Sequence, residues 1–175
     1  MMSTTKYSSS TIWIHWVSAL LIFGVIFTGI QMEELAHSEE KFNLYKVHFA
    51  LGFVVFILTI WRTILLLKPP RPTPLYEKGS KHQRLISFVH YGFYITILWM
   101  CISGIVSLSL EGILPALKSG SFSDLPDIRQ DGFHPIMLSH HIVAKLVFLL
   151  LLFHIGGVVL HFIRKKENAL KRIWK

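Results

Sequence analysis

The sequence predicts an all-α integral membrane protein, a bundle of four transmembrane helices, on three observations. Of 175 residues, 52% are hydrophobic and only 16% charged. The mean hydropathy is +0.50, whereas a soluble chain this small needs a mostly polar skin. The apolar residues gather into four runs, each long enough to cross a hydrocarbon core about 30 Å thick at about 1.5 Å per residue. The charge, 18 Lys and Arg against 10 Asp and Glu for a net +8, is divided unevenly between the ends of those runs.

The first run, Ile12–Met32, follows Lys6 and ends at Glu33 and Glu34 with no small-residue cleavage site. It reads as a span and not as a removed leader. The second, Lys46–Leu67, stops at Lys68-Pro69-Pro70-Arg71-Pro72-Thr73-Pro74, where the prolines impose a stiff, extended connection. The third, Leu85–Ser109, leads into the one sizeable loop, residues 110–136. Its Gly112, Pro115, Gly120, Pro126, Gly132 and Pro135 predict irregular structure with one short helix. The fourth, Met137–Ile163, enters a basic tail. The four spans are expected to form a single domain over residues 1–175, with no internal repeat beyond the spans themselves.

Charge sets the orientation. Arg62, Lys68, Arg71, Lys78, Lys81 and Arg84 surround the second connection, and Arg164, Lys165, Lys166, Lys171, Arg172 and Lys175 follow the last span. The other connections carry Glu33, Glu34, Glu39 and Glu40, then Glu111, Asp124, Asp127 and Asp131. The positive-inside rule therefore puts both termini in the cytoplasm. A pI near 9.8 also suits nucleic-acid binding. Here the basic residues have no soluble fold beside them, so membrane lipid is the expected partner and nucleic acid is not. The lone Cys101 excludes an internal disulfide and any multi-cysteine metal site.

The chemistry lies in ten histidines. An imidazole in hydrocarbon is costly unless something uses it, and His15, His48, His90, His140, His141, His154 and His161 fall within spans. His37, His82 and His134 lie in connections and are expected to be solvated. His140 and His154 are 14 residues apart, about 40° short of four turns, so they share a face roughly 21 Å apart along the axis. His141 falls almost opposite and is expected to point to the outer interface. Alternating helix direction puts His15 and His154 in the inner half, and His48 and His140 in the outer half.

Two bis-imidazole sites about 20 Å apart suit two haem b groups, each iron taking a neutral imidazole on either side. Copper or zinc is the rival, but pairs so far apart cannot share an ion, and no acids or cysteines complete a shell. Any one histidine could instead be an interior polar residue bonded to a neighbouring helix. Arg62, 14 residues after His48, reaches the inner level, where it could pair a haem propionate or a quinone oxygen, or snorkel to the interface. Gly52, one turn past His48, either lets a flat macrocycle approach the backbone or allows close helix packing.

With these residues the chain resembles the bacterial cytochrome b561 family, small four-helix, di-haem b proteins of the inner membrane. The resemblance rests on His15-Trp16, on His48-x-x-x-Gly52 with Arg62, on His90 and Gly104, and on His140, His154 and His161. Its spacing holds from about Ser10 to Lys175. It implies His15 with His154 and His48 with His140 as axial ligands. It further implies electron transfer from superoxide, at the outer face, to ubiquinone at the cytoplasmic end beside His90 and His161. His90 lies six residues inside Arg84 and His161 three before Arg164. Both are expected below the inner haem, serving the quinone site with Arg62, although interfacial histidines with wet tips would look the same. His141 and Lys145 depart from the family pattern; Lys145 could snorkel outward or draw an anion such as superoxide. The alternative function is a haem b anchor subunit that exchanges electrons with a separate dehydrogenase or cytochrome, a redox protein at the outer face. A third is a non-redox transporter with histidines as polar glue.

Overall fold

The computed structural model describes residues 6–68, 72–127 and 134–174. Of the residues singled out above, Pro69, Pro70, Arg71, Asp131, Gly132 and Lys175 lie outside these ranges. Four long helices form where the apolar runs are: α1 (Ser9–Glu34), α2 (Glu39–Leu67), α3 (Lys81–Leu110) and α5 (Pro135–Lys165), with a short α4 (Ile113–Ser119) between the last two. All four long helices meet the length and apolarity of a membrane span, and no strand occurs among the described residues.

Each span overshoots its apolar run, because polar caps let the helix continue into the headgroup region. Ser8, Ser38 and Ser80 accept from the backbone N–H of Thr11, Lys41 and Gln83. His134 Nδ1 accepts from Ile136 N–H, with Pro135 in the first turn. These bonds satisfy donors that a helix start otherwise leaves open.

The packing is polar inside and apolar outside. Ser18, Thr28, Thr59, Thr96, Ser103 and Ser107 are buried, while Leu20, Phe23, Phe27, Phe88, Ile95 and Phe153 project outward. Lipid tails are as apolar as leucine, so small and hydroxylic residues are the ones that bring membrane helices together. Thr59 and Thr96 donate to the carbonyls of Val55 and Gly92, one turn back. Helix α1 packs chiefly on α2 and α3 on α5, giving two antiparallel hairpins joined through α2 and α3. The inner face of α5 runs through His140, Val147, His154 and His161, each seven residues on, with Val147 and His161 buried. A seven-residue repeat makes helices supercoil by about 20° per heptad. That supercoil absorbs the 40° mismatch between His140 and His154.

The third loop is more ordered than its glycines and prolines suggest. Helix α4 is bracketed by Gly112 and Gly120 at φ of 71° and 72°, conformations that favour glycine. A 3-10 turn follows at Phe122–Asp124. Ile113, Ala116 and Leu125 close with Leu108 and Phe42 into the best-buried apolar cluster. The Glu111 carboxylate accepts from His134 N–H at 2.7 Å, pinning the loop to the start of α5.

At the opposite end the tail closes over the first helix. Tyr7 N–H donates to Arg172 O at 3.1 Å, and Trp16 Nε1 donates to Ile173 O at 2.8 Å. Trp174 meets the Trp16 ring edge-on, and Arg172 donates to Thr73 O in the second connection. Both chain ends therefore sit at one end of the bundle, as an even number of spans requires. Ile113→Ala should cost about 2–5 kcal/mol, the usual loss for emptying a filled apolar site. Thermal unfolding in detergent would show it, with the first loss of amide protection in the 113–125 segment.

Candidate functional site

Each long helix contributes two residues exactly two heptads apart to the interior: His15 and Gly29, His48 and Arg62, His90 and Gly104, His140 and His154. They form two levels separated by about 20 Å. The outer level holds Gly29, His48, Gly104 and His140; the inner level holds His15, Arg62, His90 and His154.

The ring centroids of His48 and His140 are 6.5 Å apart, and those of His15 and His154 are 6.3 Å apart. With metal–imidazole bonds of about 2.0–2.1 Å, two rings facing one metal from opposite sides bring their centroids to roughly 6 Å. Both pairs have that spacing. Among the described residues, no three His, Cys, Asp or Glu side chains gather as a site for a bare metal ion.

The outer pair has surroundings that favour the ligand form. Thr28 Oγ1 lies 3.0 Å from the carbonyls of Gly24 and Val25, to which it donates, so it accepts from His48 Nδ1 at 3.0 Å. Ser103 Oγ donates to Met100 O and accepts from His140 Nδ1 at 2.9 Å. A proton on Nδ1 leaves Nε2 its lone pair for a metal. Gly29 and Gly104 bring backbone against these rings: a Cβ would reach 3.4 Å from His48 Cε1 at the first and 3.3 Å from His140 Cε1 at the second. At Gly52 a Cβ would meet nothing within 4 Å. A side chain there would enter open space, while Cys101 Sγ of α3 reaches the Gly52 carbonyl at 3.8 Å. The donor set and the space beside it fit a flat macrocycle that His48 and His140 would hold.

The inner pair is set differently. Arg62 Nη2 donates to His15 Nδ1 at 3.2 Å, and its guanidinium lies 5.7 Å from the Tyr94 ring centre. The His90 ring is 5.3 Å from that of His154, which Phe93 meets edge-on at 5.6 Å.

One expectation is corrected here. His90 and His161 do not lie together beneath the inner pair, because His90 belongs to its level. Helix α3 begins at Lys81, four residues before the apolar run. His90 is therefore about 13 Å along α3, while His154 lies about 16 Å before the end of α5. His161 is only four residues from that end. It is 5% exposed, with Tyr76 Oη 2.8 Å from Nδ1 and the Glu167 carboxylate 3.7 Å from Nε2. Nε2 itself is buried without a hydrogen bond.

Of the histidines expected in solvent, His82 stacks on Tyr76 at 5.1 Å, and His37 lies on Phe122 at 4.9 Å. His141 meets the His140 ring edge-on at 6.4 Å, and Lys145 is exposed. Thr28, Ser103, Gly29, Tyr76 and Glu167 escaped the sequence reading. A signal existed for the first three. Hydroxyl–glycine dipeptides, Thr28-Gly29 and Ser103-Gly104, follow His15 and His90 at identical spacing. The expectation of no internal repeat is thus also corrected, since the hairpins α1–α2 and α3–α5 carry one pattern twice.

Imidazole pairs at two depths of a four-helix membrane bundle define a membrane cytochrome of the b type. The family described as prokaryotic cytochrome b561 matches residues 6–175, and the chain belongs to that family. It is similar to the probable superoxide oxidase CybB of Yersinia pestis, 25% identical over 179 residues that cover 96% of this chain and 95% of the relative. It is also similar to cytochrome b561 homolog 2 of Escherichia coli (strain K12), 25% identical over 167 residues, covering 91% and 86%. The protein is accordingly a multi-pass bacterial membrane protein of transmembrane electron transfer, an oxidoreductase whose family implies haem b.

Tyr76→Phe should leave the bundle intact but free His161. Diethyl pyrocarbonate should then acylate that imidazole several-fold faster, read by mass spectrometry. An unchanged rate would show that the hydroxyl does not restrain the ring.

Proposed function

We propose that the chain holds two haem b groups, one at each imidazole pair, and oxidises superoxide at the outer end of the bundle while reducing ubiquinone at the inner end. The observation that supports this best is the pairing itself: 6.5 Å between His48 and His140, 6.3 Å between His15 and His154, at two depths of one membrane bundle. The likeness to a probable superoxide oxidase adds the donor. In this reading the basic end, with both termini, faces the cytoplasm across the bacterial inner membrane, and the α4 cap faces outward.

Haem b, when bound, supplies a one-electron couple that needs no open coordination position. The protein does the rest. His48 and His140 hold the outer group with their tautomers fixed by Thr28 and Ser103. His15 and His154 hold the inner one, and Arg62 offers its guanidinium to a propionate. Each superoxide gives up one electron and leaves as dioxygen. Two electrons and two protons turn ubiquinone into ubiquinol. At the inner end, His161 presents a buried, unengaged Nε2 to a quinone oxygen, and Glu167, 76% exposed beside it, connects that nitrogen with water. Tyr76 holds the far side of the ring. His90 and Arg62 lie at the level of the inner pair itself, beside His154 and His15.

Purified protein should show b-type bands with two haems per chain in a reduced-minus-oxidised spectrum. Superoxide should reduce them without any added protein, and ubiquinone should reoxidise them. Reduction only through a co-purifying dehydrogenase or cytochrome would instead establish the subunit role.

Individual residues separate the sites. His154→Ala should lose the inner haem and His140→Ala the outer, while His141→Ala keeps both; pyridine haemochromogen content and spectral band shape read this directly. His161→Ala should keep both haems and slow their oxidation by quinone about 100-fold or more, the scale of a lost acid–base group. Unchanged kinetics would remove His161 from the quinone site.

A further inference from the structure

We infer that Tyr76 and His161 form a two-step proton relay for quinone reduction, in which the phenol lends its hydrogen to Nδ1 while Nε2 gives one to the quinone oxygen. This deepens the quinone reading above and rests on it.

Tyr76 belongs to the second connection, yet its place is fixed from the start of α3. Its backbone N–H donates to Gln83 Oε1 at 3.3 Å, and its ring stacks on His82 at 5.1 Å. Gln83 N–H in turn donates to the capping Ser80 Oγ. The segment 76–83 folds back on itself and carries the phenol across to α5, 2.8 Å from His161 Nδ1.

The hydroxyl is the donor in that bond. Among the described residues Nδ1 is the phenol's hydrogen-bond partner, so a phenol that only accepted would leave its own hydrogen without an acceptor there. A neutral ring with its hydrogen on Nδ1 would also turn a bare lone pair of Nε2 toward the Glu167 carboxylate, 3.7 Å away. With Tyr76 donating, Nδ1 is occupied and the neutral imidazole carries its hydrogen on Nε2. That N–H is buried without a hydrogen bond. A buried donor left so is costly, and an acceptor-only carbonyl is the group that would satisfy it.

A neutral imidazole that gave up this hydrogen alone would become an imidazolate. Tyr76 removes that obstacle. As electrons put negative charge on the quinone oxygen, the Nε2–H bond breaks and an O–H bond forms. Nδ1 takes the phenol hydrogen in the same event, so the ring stays neutral and the phenol becomes a phenolate. A proton from water then enters through Glu167, 76% exposed, onto Nε2, and Nδ1 returns its hydrogen to the phenolate. Each round supplies one of the two protons of the quinol and leaves Tyr76 as it began.

The full-length, haem-loaded protein tests this through reoxidation of its reduced haems by a short-chain ubiquinone. Tyr76→Phe should lower the maximal rate several-fold and leave KM nearly unchanged. Fluorotyrosine placed at position 76, a more acidic phenol of almost the same shape, should raise the maximal rate above that of the wild type, as proton transfer follows acidity. An unchanged maximal rate in Tyr76→Phe overturns the relay, and so does a rise in KM alone, the mark of a phenol that merely restrains the ring. Fluorotyrosine protein that behaves as wild type overturns it equally, and decides the matter if Tyr76→Phe sheds a haem. Reduced wild-type haems that ubiquinone does not reoxidise defeat the quinone reading itself, before any variant is made.

Discussion

A neutral imidazole in hydrocarbon must find a partner for each of its two ring nitrogens, since no water is there to serve either. In this bundle that requirement decides which faces turn inward and how close the helices come. At the outer level one nitrogen is satisfied by a hydroxyl on the neighbouring helix of the same hairpin, through Thr28 for His48 and Ser103 for His140. The other nitrogen is left for the ring opposite, or for what lies between them. Glycines at 29 and 104 follow from the same constraint. A ring can bond to a hydroxyl on an adjacent helix only if the next residue leaves room for its edge.

The inner level shows what the constraint permits when a charge is admitted. Arg62 brings five donors and no acceptor, so its approach to His15 Nδ1 reverses the role that this nitrogen has in the outer rings. Around it the interior becomes richer in side-chain chemistry, with His90, Tyr94 and Phe93 in place of glycine. The two halves of the bundle share a backbone plan and differ in what they ask of the groups they hold. That division suits a protein with a different redox partner at each end.

Much of this was legible in one dimension. Four apolar runs, alternating charge between their ends, and a two-heptad interval between His140 and His154 were enough to give the helices, their common end and the relative depths of His15, His48, His140 and His154. Arg62 was placed at the inner level by the same interval from His48. Other features depended on contacts that periodicity cannot express. His90 was set too near the inner surface because its depth was counted from Arg84, whereas α3 starts at Lys81 under a Ser80 cap. The order of the outer loop escaped because Ile113, Ala116 and Leu125 acquire an apolar partner only when Phe42, some seventy residues earlier, folds over them. Tyr76 and Glu167 sit in connections, and nothing local announces that both close on one buried imidazole. The doubled hydroxyl–glycine dipeptide was visible in the letters. It carried no meaning until the rings it supports were known.

Helix α5 supplies one imidazole to each pair, His140 to the outer and His154 to the inner, and it is the last span to be made. While the ribosome is still extending the chain, α1 and α2 expose two half-sites, His15 and His48, neither of which has its opposing ring. Neither pair can form during that interval. The final residues then tie the tail onto Trp16, next to His15. On the two-haem reading proposed above, loading therefore waits for α5. On the same reading, a chain cut short anywhere before residue 140 would keep most of its spans and neither imidazole pair.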